Sequence, residues 1–77
     1  MKMYAICDNM DTAVGLKLTG IEAVVVQEKE EIESQIQKVL QDEQIGILIA
    51  TNPIYELAQK QFDEIKEKLK IPLLVKI

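Results

Sequence analysis

Four short apolar runs alternate along this chain with three longer segments of helical period. Met3 to Cys7 is apolar and ends in the polar cluster Asp8-Asn9-Met10-Asp11. Val24-Val25-Val26 is β-branched, and Ile45 to Ala50 is continuously apolar, as a strand buried on both faces should be. Pro72 to Ile77 closes the chain, with proline at the first strand position, where a missing donor is tolerated. These runs predict four strands. The first helix is expected between Asp11, a residue type suited to an N-cap, and Gly20, placed where a left-handed stop belongs. The second, about Lys29 to Asp42, sets Ile32, Ile36, Val39 and Leu40 on one face at i, i+4, i+7 and i+8. The third begins at Asn52-Pro53, a cap followed by proline in the first turn, and stacks Ile54, Leu57, Ala58, Phe62, Ile65 and Leu69. The acidic cluster Glu28 to Glu33 falls at the start of the second helix, where carboxylates suit the macrodipole.

This alternation implies right-handed βαβ crossovers and one α/β domain over residues 1–77 with a four-stranded parallel sheet. The expected strand order is 2-1-3-4, half of a doubly wound fold. With that order the first helix lies alone on one face, while the other helices share the opposite face. One helix cannot cover four strands, so the sheet beside it, near strands three and four, should be undercovered. Leu48 and Leu74 are the residues expected to face that gap. In the first helix, Ala13, Val14, Leu16 and Leu18 spread around almost the whole circumference. Either this helix is buried on more than one side, or it is too short to show a clean stripe. The first reading makes its outer side, with Leu16 and Leu18, a candidate protein interface.

Composition then removes most chemistry. A chain of 77 residues buries only roughly 60% of its unfolded surface, yet 48% hydrophobic residues suffice for a core. A net charge of −4 and a pI near 4.7 argue against nucleic acid and against anionic membrane surfaces, which need a basic stripe. The apolar runs fall far short of the roughly 20 residues that span a bilayer, and no secretory signal pattern opens the chain. One cysteine cannot form an internal disulfide, which fits a reducing, cytoplasmic setting. Histidine and arginine are both absent. Ser-His-Asp and Cys-His catalysis are therefore excluded, a closed zinc site cannot be built, and the bidentate guanidinium fork for phosphate is missing. No catalytic, cofactor-binding or metal-ligating residue is assigned.

The place to look for a ligand is still the crevice at the carboxyl ends of the strands where their order reverses, between Cys7-Asp8 and Thr51-Asn52. A phosphate site would need glycine in the loop Asp8 to Thr12, which instead carries two aspartates. A receiver-type site would need a phosphate-accepting aspartate after the third strand, where Ala50-Thr51-Asn52 stands, and a fifth strand with its lysine. The opening Met1 to Cys7 resembles the cysteine-phosphorylated component of sugar phosphotransferase systems. However, an acidic loop after Cys7 would raise the thiol pKa and repel a phosphoryl donor.

The segment Asp8-Asn9-Met10-Asp11-Thr12-Ala13-Val14-Gly15-Leu16-Lys17-Leu18-Thr19-Gly20-Ile21 resembles the signature of the F subunit of V-type and archaeal-type rotary ATPases. The likeness continues through Val24 to Val26, Ile45 to Thr51, Asn52 to Leu57 and Pro72 to Val75, so it covers essentially the whole chain in order. Leu16 replaces a more usual aromatic residue and Cys7 a common glycine. The family usually continues past this last strand into a further helix, so the chain is expected to lack the usual C-terminal segment.

The resemblance implies a non-catalytic rotor subunit without cofactors. In the family, the F subunit binds the long coiled coil of the D subunit. Together they form the central stalk, which couples ATP turnover on other subunits to proton or sodium movement. The expected location is cytoplasmic and peripheral to the membrane, without insertion into it. Asp8, Asp11, Thr12, Gly15 and Gly20 match the signature and are read as structural: Asp11 as helix cap, Gly15 as the point of close helix–sheet approach, Gly20 as the helix stop. The undercovered strip implies self-association of this short form. The sugar phosphotransferase component is the alternative reading.

Overall fold

A computed structural model describes all 77 residues. The strands are β1 (Lys2–Cys7), β2 (Glu22–Val25), β3 (Ile45–Ala50) and β4 (Leu73–Lys76). The helices are α1 (Met10–Leu18), α2 (Lys29–Gln41), α3 (Asn52–Leu57) and α4 (Gln59–Lys68). All strand pairs are parallel and the order is β2-β1-β3-β4. The expected architecture holds. Its central strands are those whose residues run buried without alternation, Tyr4 to Cys7 in β1 and Leu48 to Ala50 in β3. Both of their faces are covered, so both sets of side chains must be apolar or small.

The two faces of the sheet differ in thickness. The larger core packs Tyr4, Ile6, Leu48 and Ala50 against Ile32, Ile36 and Val39 of α2, Ile54 of α3, and Phe62 and Ile65 of α4. The smaller one holds only Ala5, Cys7, Ala13, Ala23 and Ile49, edged by Leu16, Ile21, Val25 and Ile47. One short helix therefore covers one face, as the crossover directions require.

Local chemistry explains most helix ends. In α2 the Glu31 carboxylate accepts from the backbone N–H groups of Gln27 and Glu28, both at 2.9 Å, closing a capping box. Those bonds hold its pKa below the ordinary carboxylate value. In α1 the cap is Asn9, not Asp11: the Asn9 side chain accepts from the Thr12 backbone N–H at 2.8 Å. Asp11 sits one residue inside the first turn, where its charge still meets the helix dipole. The C-terminus of α1 is a Schellman motif. Ile21 N–H donates to Leu16 C=O at 3.1 Å and Gly20 N–H to Lys17 C=O at 3.0 Å, with Gly20 at φ +89°.

The single long third helix expected from periodicity is two helices. Ala58 leaves helical geometry (φ −131°, ψ 39°) between α3 and α4 and is itself buried. Across the break the rings of Tyr55 and Phe62 stack with centroids 5.2 Å apart. The Tyr55 hydroxyl donates to the Asp63 carboxylate. Both rings are buried in the larger core.

The Tyr55–Asp63 bond carries a pH dependence. That hydrogen bond, then burial, then the Asp63 charge, pushes the phenol up to about 12 from its ordinary 10.0. The neutral phenol is the form the fold prefers, so its contribution is complete below pH 10 and is lost as pH rises towards 12. Thermal melts across that window should show wild type losing stability more steeply than Tyr55→Phe. Parallel curves would contradict the linkage.

Candidate functional site and interaction surface

The crevice at the switch point is open and nearly uncharged. Asp8, Asn9 and Thr12 form one wall and Thr51, Asn52, Pro53 and Ile77 the other, around about 340 Å³. Its one ionisable side chain is Asp8, which accepts from the Asn9 amide at 3.2 Å. No lysine lines it, so a phosphate would find a carboxylate and no counter-charge. The Thr51 hydroxyl is buried without a hydrogen-bond partner. Nowhere do three Asp, Glu or Cys side chains converge as a metal site would require.

Cys7 is fully buried beneath α1. Burial raises its thiol pKa, the Asp8 charge raises it further, and Lys17 opposes both. A protonated, inaccessible thiol is a poor phosphoryl acceptor, and its surroundings are those of a small apolar residue.

The signature residues serve different ends. Asp8 and Thr12 gather at the α1 N-terminus, and Asp11 is in its first turn. Gly20 has the positive φ that terminates the helix. Gly15 does not mediate close helix–sheet contact, for a Cβ there would meet nothing within 4 Å. It is exposed because Ala13 and Leu16, on the other side of the turn, are the residues that meet the sheet. Two opposite effects follow in thermal or chemical denaturation. Gly15→Ala should stabilise the isolated chain by about 0.5–1 kcal/mol, by removing glycine entropy from a helix interior. Gly20→Ala should destabilise it by about 1–2 kcal/mol, because a Cβ at that φ collides with the backbone.

The interface candidates also divide. Leu16 is half-buried against the smaller core, whereas Leu18 is 83% exposed. Met10 and Val14 are exposed as well, so Met10, Val14 and Leu18 make an outward stripe at i, i+4 and i+8. The helix is apolar on two opposite sides, which resolves the spread seen in the sequence. Leu48 and Leu74 do not face the gap beside α1. Leu48 is fully buried in the larger core and Leu74 packs against that core from β4. The register Ile47↔Leu73 and Ile49↔Val75 instead places Leu73 and Val75 on the α1 side, together with Ile47 and Ile49. The gap exists as expected, but the neighbouring residues on each strand line it. In a continuously apolar strand no alternation marks which set faces which way.

No helix is long and apolar enough to cross a membrane. No curated protein matches the chain. Among solved structures, the F subunit of the V-type ATP synthase from Archaeoglobus fulgidus is similar at 27% sequence identity with a TM-score of 0.74. That likeness covers 99% of this chain and 96% of that one. The family model described as ATP synthase (F/14-kDa) subunit matches residues 3–77, in keeping with the signature around α1 and the 2-1-3-4 sheet. On that near-complete match, the chain belongs to the ATP synthase (F/14-kDa) subunit family, which includes the F subunit of V-type enzymes.

Proposed function

We propose that this chain is a non-catalytic part of the central stalk of a V-type ATPase, docking onto the coiled-coil D subunit. In this role it helps couple ATP turnover to proton or sodium movement. The observation that supports the docking is the outward stripe Met10, Val14 and Leu18. Apolar side chains at i, i+4 and i+8 form a ridge of the kind that packs into the groove of another helix, and a coiled coil presents such grooves along its length. Gly15, exposed on the flank of that ridge, leaves room for a second helix to come close. The work is mechanical, and the nucleotide chemistry lies on other subunits. The chain sits on the cytoplasmic side, peripheral to the membrane.

Co-purification with the D subunit of the same ATPase tests the reading. Wild type should be retained. Leu18→Asp should lose about 1.5–3 kcal/mol of binding, roughly tenfold or more in affinity, because it buries a carboxylate where a leucine packs. Its melting temperature should stay near that of wild type, since Leu18 touches little of its own fold. A wild-type chain that fails to bind the D subunit would sink the proposal.

A further inference from the structure

Gly15 weakens α1 without serving it. Glycine in a helix interior is destabilising, because it loses the most backbone freedom on folding. Its usual justifications are a positive φ or a close neighbour that a side chain would strike. Gly15 has neither: Gly20 is the glycine with positive φ, and a Cβ at Gly15 would meet nothing within 4 Å. The fold of this chain therefore gives no reason for the missing side chain.

The neighbours of Gly15 supply one. Asp11, Val14, Gly15 and Leu18 are all exposed and stand at i, i+3, i+4 and i+7. They lie opposite Ala13 and Leu16, which meet the sheet. Four residues at that spacing form the hole that receives one side chain of a facing helix in knobs-into-holes packing. With glycine at one corner, the hole is open down to the α1 backbone. Two of its other corners, Val14 and Leu18, are apolar. The last, Asp11, is charged and has no ion-pair partner in this chain, whose ion pairs are those of Lys2 with Glu22 and with Asp42.

We infer that this hole receives a lysine or arginine of the partner helix, its methylene stem over Gly15 between Val14 and Leu18 and its cationic head at Asp11. The inference rests on the docking proposed above and names the side chain that the docked helix must present. Long basic side chains cover apolar surface with their stems while keeping their heads in a polar setting. An apolar knob would fill the depth but leave the Asp11 carboxylate dehydrated and without a counter-charge at its edge. An acidic knob would be repelled.

Affinity for the D subunit, measured by titration calorimetry at low and at physiological salt, tests this together with thermal melts of the isolated variants. Gly15→Leu closes the hole and should weaken binding by about tenfold or more, as overpacking does. Its melting temperature should stay at or above that of wild type, since leucine is the better helix former and this face is exposed. A role confined to the fold would not separate those two readouts. Asp11→Asn should weaken binding by about threefold or more at low salt and flatten its dependence on salt. Glu67→Gln removes the same charge from α4, on the opposite face of the sheet, and should do neither. Gly15→Leu that binds like wild type, or melts below it, would overturn the inference. So would Asp11→Asn with unchanged affinity and salt dependence, or an equal loss in Glu67→Gln. In each of those cases, weakened binding by Leu18→Asp leaves the docking itself standing. Wild type that fails to bind the D subunit removes both.

Discussion

Phe62→Ala is expected to remove a large share of the stability of this domain. Phe62 is fully buried, heads the larger core and stacks on Tyr55 across the α3–α4 break. Its truncation loses the transfer free energy of the ring and leaves a cavity, together about 3–5 kcal/mol. A folded chain of 77 residues has a stability of about 4–12 kcal/mol. The change therefore takes about a quarter or more of the total, and at the lower end most or all of it. In thermal denaturation followed by circular dichroism, the midpoint should fall by more than about 10 °C or the cooperative transition should vanish. A shift of only a few degrees would mean that the bend at Ala58 relaxes and refills the space.

Leu48→Ala and Leu73→Ala should differ sharply although both replace a leucine in neighbouring strands of one sheet. Leu48 is sealed between β1, β4 and the paired helices, so its loss should destabilise the fold by about 2–5 kcal/mol. Leu73 is 61% exposed on the open face and should change stability by no more than about 0.5 kcal/mol. Urea denaturation of the two variants decides the sidedness of the sheet. Equal losses would mean that the open face is covered after all.

Those two leucines also show where sequence reading stops. The strands themselves are plain, because runs such as Ile45 to Ala50 have no polar residue to interrupt a buried strand. Their facing is not. The pairing of Lys2 with Ile45 but Met3 with Ile47 skips Gly46, a bulge that shifts the alternation by one residue along β3. Nothing in an apolar run announces such a slip. The cap of α1 is hidden for a related reason. Asn9 and Asp11 are both good caps by type, and only the backbone bond from Thr12 chooses between them. Ala58 is a good helix former in a strong helical period, so its exit from the helix reflects the packing of Tyr55 and Phe62 on either side of it.

The docking stripe is half legible. An all-round apolar helix is visible as Ala13, Val14, Leu16 and Leu18, yet the inner and outer sets cannot be separated without knowing which side meets the sheet. Once Ala13 and Leu16 are seen inside, Val14 and Leu18 must be outside, and Met10 joins them by helical spacing.

By itself, then, the order and period of apolar residues determined the four strands of this protein, its first two helices, its parallel sheet and the single helix on one face, but not the break that divides the third helical segment at Ala58. These follow from burial and from the handedness of βαβ crossovers, which hold whatever the details of packing. The missing histidine and arginine likewise settled which chemistries its residues cannot perform. Only the tertiary structure decided which side chains remain at the surface: Leu18 and not Leu16, Leu73 and Val75 and not Leu48 and Leu74. The physical reason is that hydrophobicity tells how much surface a segment must bury, while register and bulges, set jointly by distant strands, determine which surface it is.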